Sequence, residues 1–376
     1  MVKQDVIDTH NSKRSIESFY SDENTIYDNY EQIVKILSYF KSSKMYMRST
    51  EHILRIGGGV ITFTLLYILY KRMEDHSRNE ISEYDTIVVS KMLETRELIL
   101  KEKRPLLWIH IPYTVNARMW ESFSSRNTMD INQPYIYACI RSIIDKCGHS
   151  FRICIVDDTC FKKLLPSWNM NMCELSEPIL GNMRNLAMVK LVHEYGGMVI
   201  PFSFICFENM EKLYKHHVGS NNLCFGQIPP DNYLSETNDF APSLKLFGSV
   251  RGNVHLADLM YEMEILYTNN ATAEDKFTGT LEKILYNMIY HGKAEYIDGE
   301  LIGTKTREGN PVTVDMLLSQ DMYEFIQPIY GVYIPNENIL KRIQYAWFAS
   351  LNLNDAIEAN INVSAMLRKA MGQYLE

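Results

Sequence analysis

The sequence lacks an excess of basic residues, and it lacks the glycine-rich and serine motifs of several large enzyme classes. Acidic residues outnumber basic ones by 46 to 38, for a formal net charge of −8. No overall positive field therefore attracts a nucleic-acid backbone, and nucleic acid is not an expected partner. The motifs G-x-x-x-x-G-K-[ST], G-x-G-x-x-G and G-x-S-x-G do not occur. Their absence argues against P-loop, dinucleotide-binding and nucleophile-elbow proteins.

The seven cysteines show neither a disulfide pattern nor a metal-binding pattern. They are scattered from Cys139 to Cys224, are odd in number and include no C-x-x-C pair. Several lie in apolar runs such as residues 152–156, where a free thiol behaves as a small hydrophobic group. We therefore expect buried, reduced cysteines and a domain that faces a reducing compartment, although sequons at Asn270 and Asn362 point the other way.

The first 52 residues are polar and charged, without the apolar segment of a cleaved secretory signal. This composition predicts a polar arm over residues 1–52. Within the arm, apolar residues recur at helical spacing over residues 30–40 and predict one short amphipathic helix.

The longest uncharged apolar run covers residues 56–70, between Arg55 and Lys71-Arg72. As a helix this run rises only ~22 Å against a hydrocarbon core of ~30 Å, so spanning requires residues 53–73 with the basic side chains reaching the headgroups. The alternative is a buried core helix, but Gly57-Gly58-Gly59 is costly in a soluble helix. The run predicts a transmembrane helix over residues 53–73 with membrane lipid as its partner. Basic residues are divided too evenly between its two sides to assign an orientation.

Beyond this run the residue pattern changes twice. Residues 74–104 are charged with apolar residues at helical spacing, which predicts a helical stalk. Over residues 105–376 short apolar runs alternate with amphipathic ones, which is typical of an α/β domain. The expected strands are residues 106–111, 151–156 and 198–207, and the expected helices are residues 135–146, 185–195, 255–267 and 273–290 and a terminal helix from residue 354 onward.

Three segments of the α/β region resemble a known family. They are Pro105-Leu-Leu-Trp-Ile-His-Ile111, Phe151-Arg-Ile-Cys-Ile-Val-Asp-Asp158 and the helical run from Leu186 to Tyr195-Gly-Gly197 that leads into a strand. In this order they resemble the capsular polysaccharide synthesis family and its sugar-transferase relatives, in the form found in large DNA viruses of eukaryotes. The resemblance covers residues 105–209. It implies a GT-A-like, Rossmann-like mixed sheet with flanking helices.

The resemblance also locates a donor site in which the polar positions are replaced. In active members an Asp and an Arg on the helix before Tyr-Gly-Gly hold the sugar donor, and an Asp-x-Asp on the next strand holds Mn²⁺ or Mg²⁺. Such cations need hard oxygen ligands. The resemblance therefore implies that the metal site is lost and that no cofactor is bound. The replaced positions are Asn185 and Met188 on the helix, Val199 before the acidic pair, and Pro201 and Ser203 in place of the pair.

A few candidate site residues remain. The best catalytic candidates are Asp157 and Asp158, which match an acidic pair beside the donor site and are expected to lie near Tyr195-Gly-Gly197; the alternative is an acidic turn or helix cap. Trp108 matches a strand position near the donor base but also fits a core position. The family-matched donor-binding positions are Trp108, Arg184, Tyr195, Gly196 and Gly197.

Two functions follow from the resemblance. Loss of a single preorganised electrostatic group costs about 10²–10³ in rate, and here several are replaced. This favours a membrane-anchored pseudoenzyme that acts with protein partners as a scaffold, linking an internal host or virion membrane to the capsid as a minor capsid protein. The alternative is an active, metal-independent glycosyltransferase that binds a nucleotide sugar and uses Arg184 or Lys190 as its cation.

Overall fold

A computed structural model describes residues 96–112, 133–219, 222–269, 274–321, 324–325 and 327–372. The expected polar arm (residues 1–52), the expected transmembrane helix (residues 53–73) and most of the expected stalk lie outside these residues. Among the helices in the described ranges, none combines the length and the apolar character needed to cross a membrane.

The secondary structure alternates between short strands and helices. The strands are β1 (Leu106–His110), β2 (Arg152–Val156), β3 (Gly197–Val199), β4 (Phe204–Cys206), β5 (Leu223–Ile228), β6 (Ala241–Ser249), β7 (Glu295–Ile297) and β8 (Gly331–Tyr333). The α-helices are α1 (Arg96–Lys101), α2 (Tyr135–Cys147), α3 (Cys160–Leu164), α4 (Ile179–Tyr195), α5 (Glu211–His217), α6 (Val254–Asn269), α7 (Glu274–Thr278), α8 (Thr280–Tyr290), α9 (Val314–Leu318), α10 (Asn336–Lys341), α11 (Ala346–Ser350), α12 (Leu353–Glu358) and α13 (Asn362–Met371).

Six of these strands form a mixed, mostly parallel sheet in the order β2-β1-β3-β6-β5-β7. Strands β2, β1 and β3 run parallel, β6 is antiparallel to both β3 and β5, and β7 is parallel to β5. Strands β4 and β8 pair separately and antiparallel. The sheet with its flanking helices fits a Rossmann-like α/β fold, which confirms the α/β class expected from the sequence.

Side chains of β1 alternate between two hydrophobic cores. Leu107 and Ile109 enter the core that contains α2, whereas Leu106 and Trp108 enter the core that contains α3 and α4. The connection from β1 to β2 therefore crosses one face of the sheet, and the connection from β2 to β3 crosses the other. Because both faces of β1 are covered, its sequence is a continuous apolar run.

Several element boundaries differ from expectation. The expected strand over residues 198–207 is interrupted between β3 and β4, where Pro201 has no N–H to donate to a strand ladder. The expected helix over residues 273–290 is divided into α7 and α8 at Gly279, which adopts a left-handed φ of 65°. The expected terminal helix forms two helices, α12 and α13, and α4 begins at Ile179, before the expected start at residue 185.

The cysteines are free thiols, and all but one are buried. Cys173 is exposed, contrary to expectation, whereas the burial predicted for the other six is confirmed. Two of the buried thiols are neighbours: the Sγ atoms of Cys147 and Cys206 are 3.8 Å apart, which is a contact rather than a disulfide bond.

Candidate functional site

A cleft of about 830 Å³ opens where β1 and β3 end. We call this side of the sheet the carboxyl edge; its residues include His110 at the end of β1 and Phe202 after β3, both of which line the cleft. The helical connections on either side of β1 cover opposite faces of the sheet. In open α/β sheets, ligands bind at the carboxyl edge where the direction of winding reverses in this way. This position makes the cleft the candidate functional site.

Asp158 follows β2 and is held by two basic side chains. Its carboxylate accepts hydrogen bonds from Arg184, with Nη2 2.6 Å from Oδ2 and Nε 3.0 Å from Oδ1. The Nε2 atom of His110 lies 3.0 Å from the same Oδ1. Burial would raise the pKa of Asp158, but the hydrogen bonds from His110 and Arg184 outweigh burial and lower the pKa to about 2. Asp158 is therefore ionised at neutral pH, and its oxygens are already used by protein donors.

Asp157 caps the turn that leads into α3. Its Oδ1 accepts hydrogen bonds from the backbone N–H of Thr159 (3.0 Å), the Thr159 hydroxyl (2.7 Å) and the N–H of Cys160 (3.0 Å). Burial would raise the pKa of Asp157, but these hydrogen bonds outweigh it and lower the pKa. This geometry matches the turn or cap that was the alternative to a catalytic role.

Arg184 is the one family-matched donor-binding residue that lines the cleft. Its guanidinium is bound on one side by Asp158, and its Nη1 lies 3.7 Å from a carboxylate oxygen of Glu177. A guanidinium between two carboxylates has little positive charge left for an anionic ligand. The other cation considered from the sequence, Lys190, pairs with Glu264 at 2.6 Å and does not line the cleft.

The Tyr195-Gly196-Gly197 motif lies at the opposite side of the sheet, which we call the amino edge because β1, β2 and β3 begin there. Strand pairing aligns Leu106 with Arg152, and Leu107 with Met198, so Gly197 is level with the start of β2. Asp157, five residues further along, is therefore roughly 16 Å away along the strand direction. The expectation that Asp157 lies near this motif is wrong.

Both glycines of the motif are required by backbone geometry. Gly196 has a φ of 75° and Gly197 a φ of 108°, and these left-handed values favour glycine. A Cβ on Gly197 would lie 2.4 Å from the carbonyl oxygen of Leu106, and one on Gly196 would lie 2.9 Å from the N atom of Arg251. The two glycines therefore let the chain turn from α4 into β3 directly against β1.

Trp108 and Tyr195 strengthen the same turn. The indole N–H of Trp108 donates to the carbonyl of Gly196 (2.9 Å), and the hydroxyl of Tyr195 donates to the carbonyl of Leu164 (2.6 Å). Trp108 is fully buried and Tyr195 nearly so. Trp108 therefore occupies the core position that was the alternative to contact with a donor base. Tyr195, Gly196 and Gly197 line a separate, smaller hollow of about 320 Å³ at the amino edge.

The replaced family positions lie partly in the core and partly in the cleft. Met188 and Val199 are buried in the hydrophobic core, whereas Asn185 lines the cleft. Ser203 is completely buried, and its hydroxyl donates to the carbonyl of Ile334 (2.7 Å). Pro201 has no side-chain ligand atom. The residues present therefore do not fit a Mn²⁺ or Mg²⁺ ion, which needs several free oxygen ligands.

Other residues of the cleft were not expected from the sequence. Burial would lower the pKa of Lys245, but Tyr333, Glu337 and Asp231 outweigh burial and raise it. For the carboxyl group of Glu282, burial acts in the opposite direction and raises the pKa. The negative charge of Asp231 raises it further. Lys245, Glu282, Asp231 and Glu337 all line the cleft. No local motif marks these residues, because they come from widely separated parts of the chain.

Comparisons with known proteins do not identify a family for this chain. No protein-family model matches the sequence, and no curated protein matches it significantly. Across the part of the chain that the structure describes, no group of three or more His, Cys, Asp or Glu side chains is arranged to hold a metal ion. These comparisons therefore assign no family to the chain.

Proposed function

We propose that this chain is a GT-A-like protein related to the capsular polysaccharide synthesis family, that it has lost metal-dependent sugar transfer, and that it serves as a scaffold. The order of β2, β1 and β3 and the cleft at their carboxyl edge support this proposal. The observation that carries it is the burial and hydrogen bonding of Ser203. This residue stands where the family has a metal-binding carboxylate, yet its hydroxyl is buried and bonded to the backbone of Ile334.

The expected reduction in reaction rate favours loss of activity over weakened activity. Replacing one preorganised electrostatic group typically costs about 10²–10³ in rate. Here Pro201 and Ser203 replace both carboxylates of the metal site, and Met188 replaces the donor-binding arginine. Met188 is packed in the hydrophobic core and is uncharged, so this position itself supplies no cation.

The proposal extends to the membrane and to the assembly. A transmembrane helix over residues 53–73 would anchor the domain to lipid as a single-pass protein, in a host internal membrane or the inner membrane of a virion. The α/β domain would then act as a rigid adaptor toward the capsid of a large DNA virus. Buried free thiols are typical of a domain on the reducing side of such a membrane.

Titration of the purified full chain with nucleotide sugars, with and without Mn²⁺, tests the loss of transfer. We expect no Mn²⁺-dependent binding in calorimetry and no donor hydrolysis in a coupled assay. The Asp157→Ala/Asp158→Ala double variant is the control, because an enzyme that uses either carboxylate loses about 10²-fold or more of its rate. Donor hydrolysis or transfer that disappears in this variant contradicts the scaffold proposal.

The alternative is a metal-independent glycosyltransferase that acts on surface polysaccharide or glycoprotein glycans. The observation in its favour is that Arg184 lines the cleft. Such an enzyme would turn over a nucleotide sugar without Mn²⁺ and would lose this activity on Arg184→Gln substitution. Turnover that survives this substitution excludes Arg184 as the required cation.

A further inference from the structure

Two cysteine thiols from different parts of the chain meet in the core beside α2. Cys147 is the last residue of α2, and Cys206 is the last residue of β4. Their Sγ atoms are 3.8 Å apart, although the two residues are separated by 59 positions in the sequence. A disulfide bond has an S–S distance of about 2.05 Å, so the sulfur atoms need to approach by only about 1.8 Å. Rotation of two side chains at the ends of their elements covers a distance of this size.

Hydrogen bonds hold α2 and β4 together at this point. The backbone N–H of Cys206 donates to the hydroxyl of Ser142 on α2 (2.9 Å). The same hydroxyl donates to the carbonyl of Cys139, three residues earlier on the helix (2.7 Å). Ser142, Cys147 and Cys206 are all buried. The contact between the two sulfur atoms is therefore a fixed feature of a close-packed interior.

The two thiols differ in acidity. Hydrogen bonds from Cys206 and from the backbone N–H of Met210 outweigh burial and lower the pKa of Cys147. The pKa of Cys206 is raised by its hydrogen bond to Cys147 and by burial. By contrast, burial raises the pKa of Cys160 to about 11 and the pKa of Cys224 to about 12. Because the thiolate is the reactive form of cysteine, Cys147 is the nucleophile of the pair.

The pair lies beside an open hollow of about 520 Å³. Lys146, which precedes Cys147, lines this hollow. So do Phe207 and Glu208, which follow Cys206. The thiol of Cys206 donates to the carbonyl of Glu208 (3.2 Å). A small oxidant in the hollow is therefore separated from the sulfur atoms by the residues next to them, and local opening of a few residues admits a molecule close to water in size.

From this geometry we propose that Cys147 and Cys206 are a redox-sensitive pair that hydrogen peroxide converts into a reversible disulfide bond. The Cys147 thiolate attacks one peroxide oxygen and becomes a sulfenic acid, while the O–O bond breaks and the other oxygen leaves as hydroxide, which takes up the proton released by Cys147. The Cys206 thiol then attacks this sulfur, so that the S–S bond forms, the S–O bond breaks and water leaves. In total two thiols lose two electrons and two protons, and one peroxide is reduced to two water molecules. A dithiol reductant reverses the change.

The bond would link the end of α2 to the end of β4. Helix α2 covers one face of the main sheet, whereas β4 belongs to the separate pair with β8. A disulfide between distant positions constrains the unfolded chain and stabilises the folded one. In a domain that faces a reducing compartment, the thiols stay reduced until an oxidant is present. The inference does not depend on the proposed scaffold role, because neither the cleft nor the family-matched positions take part.

Oxidation of the purified full chain tests the proposal. The Cys173→Ala variant serves as the parent protein, because Cys173 is the exposed thiol and would otherwise link two copies of the chain. The protein is treated with hydrogen peroxide, and its remaining thiols are alkylated after denaturation. Mass spectrometry of the non-reduced digest should then show two peptides joined through Cys147 and Cys206, and dithiothreitol should remove this link. The oxidised protein should unfold at a temperature about 5 °C higher than the reduced protein.

Substitution of single cysteines provides the controls. Cys147→Ala and Cys206→Ala should each abolish the link and the rise in unfolding temperature. Cys139→Ala removes another fully buried thiol of α2 and should keep both effects. The linked peptide is measured in the parent protein, so the test does not require that the Cys147 and Cys206 variants fold.

Four outcomes would overturn the proposal. The first is that Cys147 and Cys206 are both still alkylated after peroxide treatment. The second is oxidation of Cys147 to a sulfinic acid without the link, which would show that Cys206 does not react with the oxidised sulfur. The third is a link that forms only after unfolding in urea. The fourth is a link that leaves the unfolding temperature unchanged, which contradicts the stabilisation expected from joining α2 to β4.

Discussion

The two edges of the central sheet differ in how closely their residues pack. At the amino edge, Trp108, Tyr195, Gly196 and Gly197 pack so closely that a methyl group on Gly197 would lie 2.4 Å from a backbone oxygen. At the carboxyl edge, the same strands open into a cleft of about 830 Å³, against about 320 Å³ for the hollow at the amino edge. The most family-like motif of the sequence thus lies at the packed edge. It supports the fold and contributes nothing to the cleft lining.

This difference separates two kinds of effect in mutagenesis. Substitutions at the amino edge should lower stability steeply, because interiors are close-packed and buried polar atoms there have fixed partners. Substitutions at the carboxyl edge should cost less stability, because a ligand site leaves side chains partly solvated. Four substitutions test the comparison, ordered from the largest expected effect to the smallest.

Gly197→Ala should have the largest effect. The new Cβ would collide with the Leu106 carbonyl, and the residue would have to keep a φ of 108°. We expect a loss of about 3 kcal/mol or more in the free energy of unfolding, measured by urea denaturation. Gly309→Ala is the control, with a φ of 89° and no atom within 4 Å of the added Cβ, and should cost about 1 kcal/mol. Equal losses would mean that the contact with β1 is unimportant.

Trp108→Phe tests the hydrogen bond at the amino edge. The substitution leaves the buried carbonyl of Gly196 without its indole donor and removes part of a buried ring, for an expected cost of about 3 kcal/mol. Trp168→Phe removes the same atoms from the same core, but the Nε1 of Trp168 has no partner within the described ranges. Trp108→Phe should therefore cost about 1–2 kcal/mol more than Trp168→Phe. A smaller cost for Trp108→Phe would contradict this assignment.

Asp158→Asn tests the ion pair between Asp158 and Arg184 at the carboxyl edge, through the pH dependence of the unfolding free energy. The pKa of Asp158 falls from an ordinary 3.8 to about 2 in the folded protein, so its stabilisation is complete above the unfolded value and is lost as pH falls toward 2. The full contribution is on the order of 2 kcal/mol, and roughly half is lost at pH 3. The difference in unfolding free energy between wild type and variant should therefore shrink between pH 6 and pH 3. A difference that stays constant would show that the charge of Asp158 is not the cause.

Asp157→Ala should have the smallest effect. It removes the acceptor for Thr159 and Cys160 at the turn before α3 and should lower the unfolding free energy by about 1 kcal/mol. Asp157→Asn keeps an acceptor oxygen and should cost less. Equal losses in the two variants would show that the acceptor oxygen at position 157 is not the cause.

The sequence by itself determined the local elements and the α/β class. The continuous apolar run of β1 marked a strand covered on both faces, and the periodicity of residues 135–146 predicted α2 almost to its ends. Gly196 and Gly197 marked the end of α4, because few other residues adopt the backbone angles of that turn. These features depend on neighbours within a few residues, which a sequence contains directly.

Only the tertiary structure decided which residues meet. Gln133, Asp231, Glu282 and Glu337 share the cleft lining although the chain places them up to about two hundred residues apart. Their proximity follows from strand order, from the antiparallel insertion of β6 beside β3 and from the return of the chain at β8. The same holds for the separation of Asp157 from the Tyr195 motif, which parallel strand register places at opposite edges of one sheet.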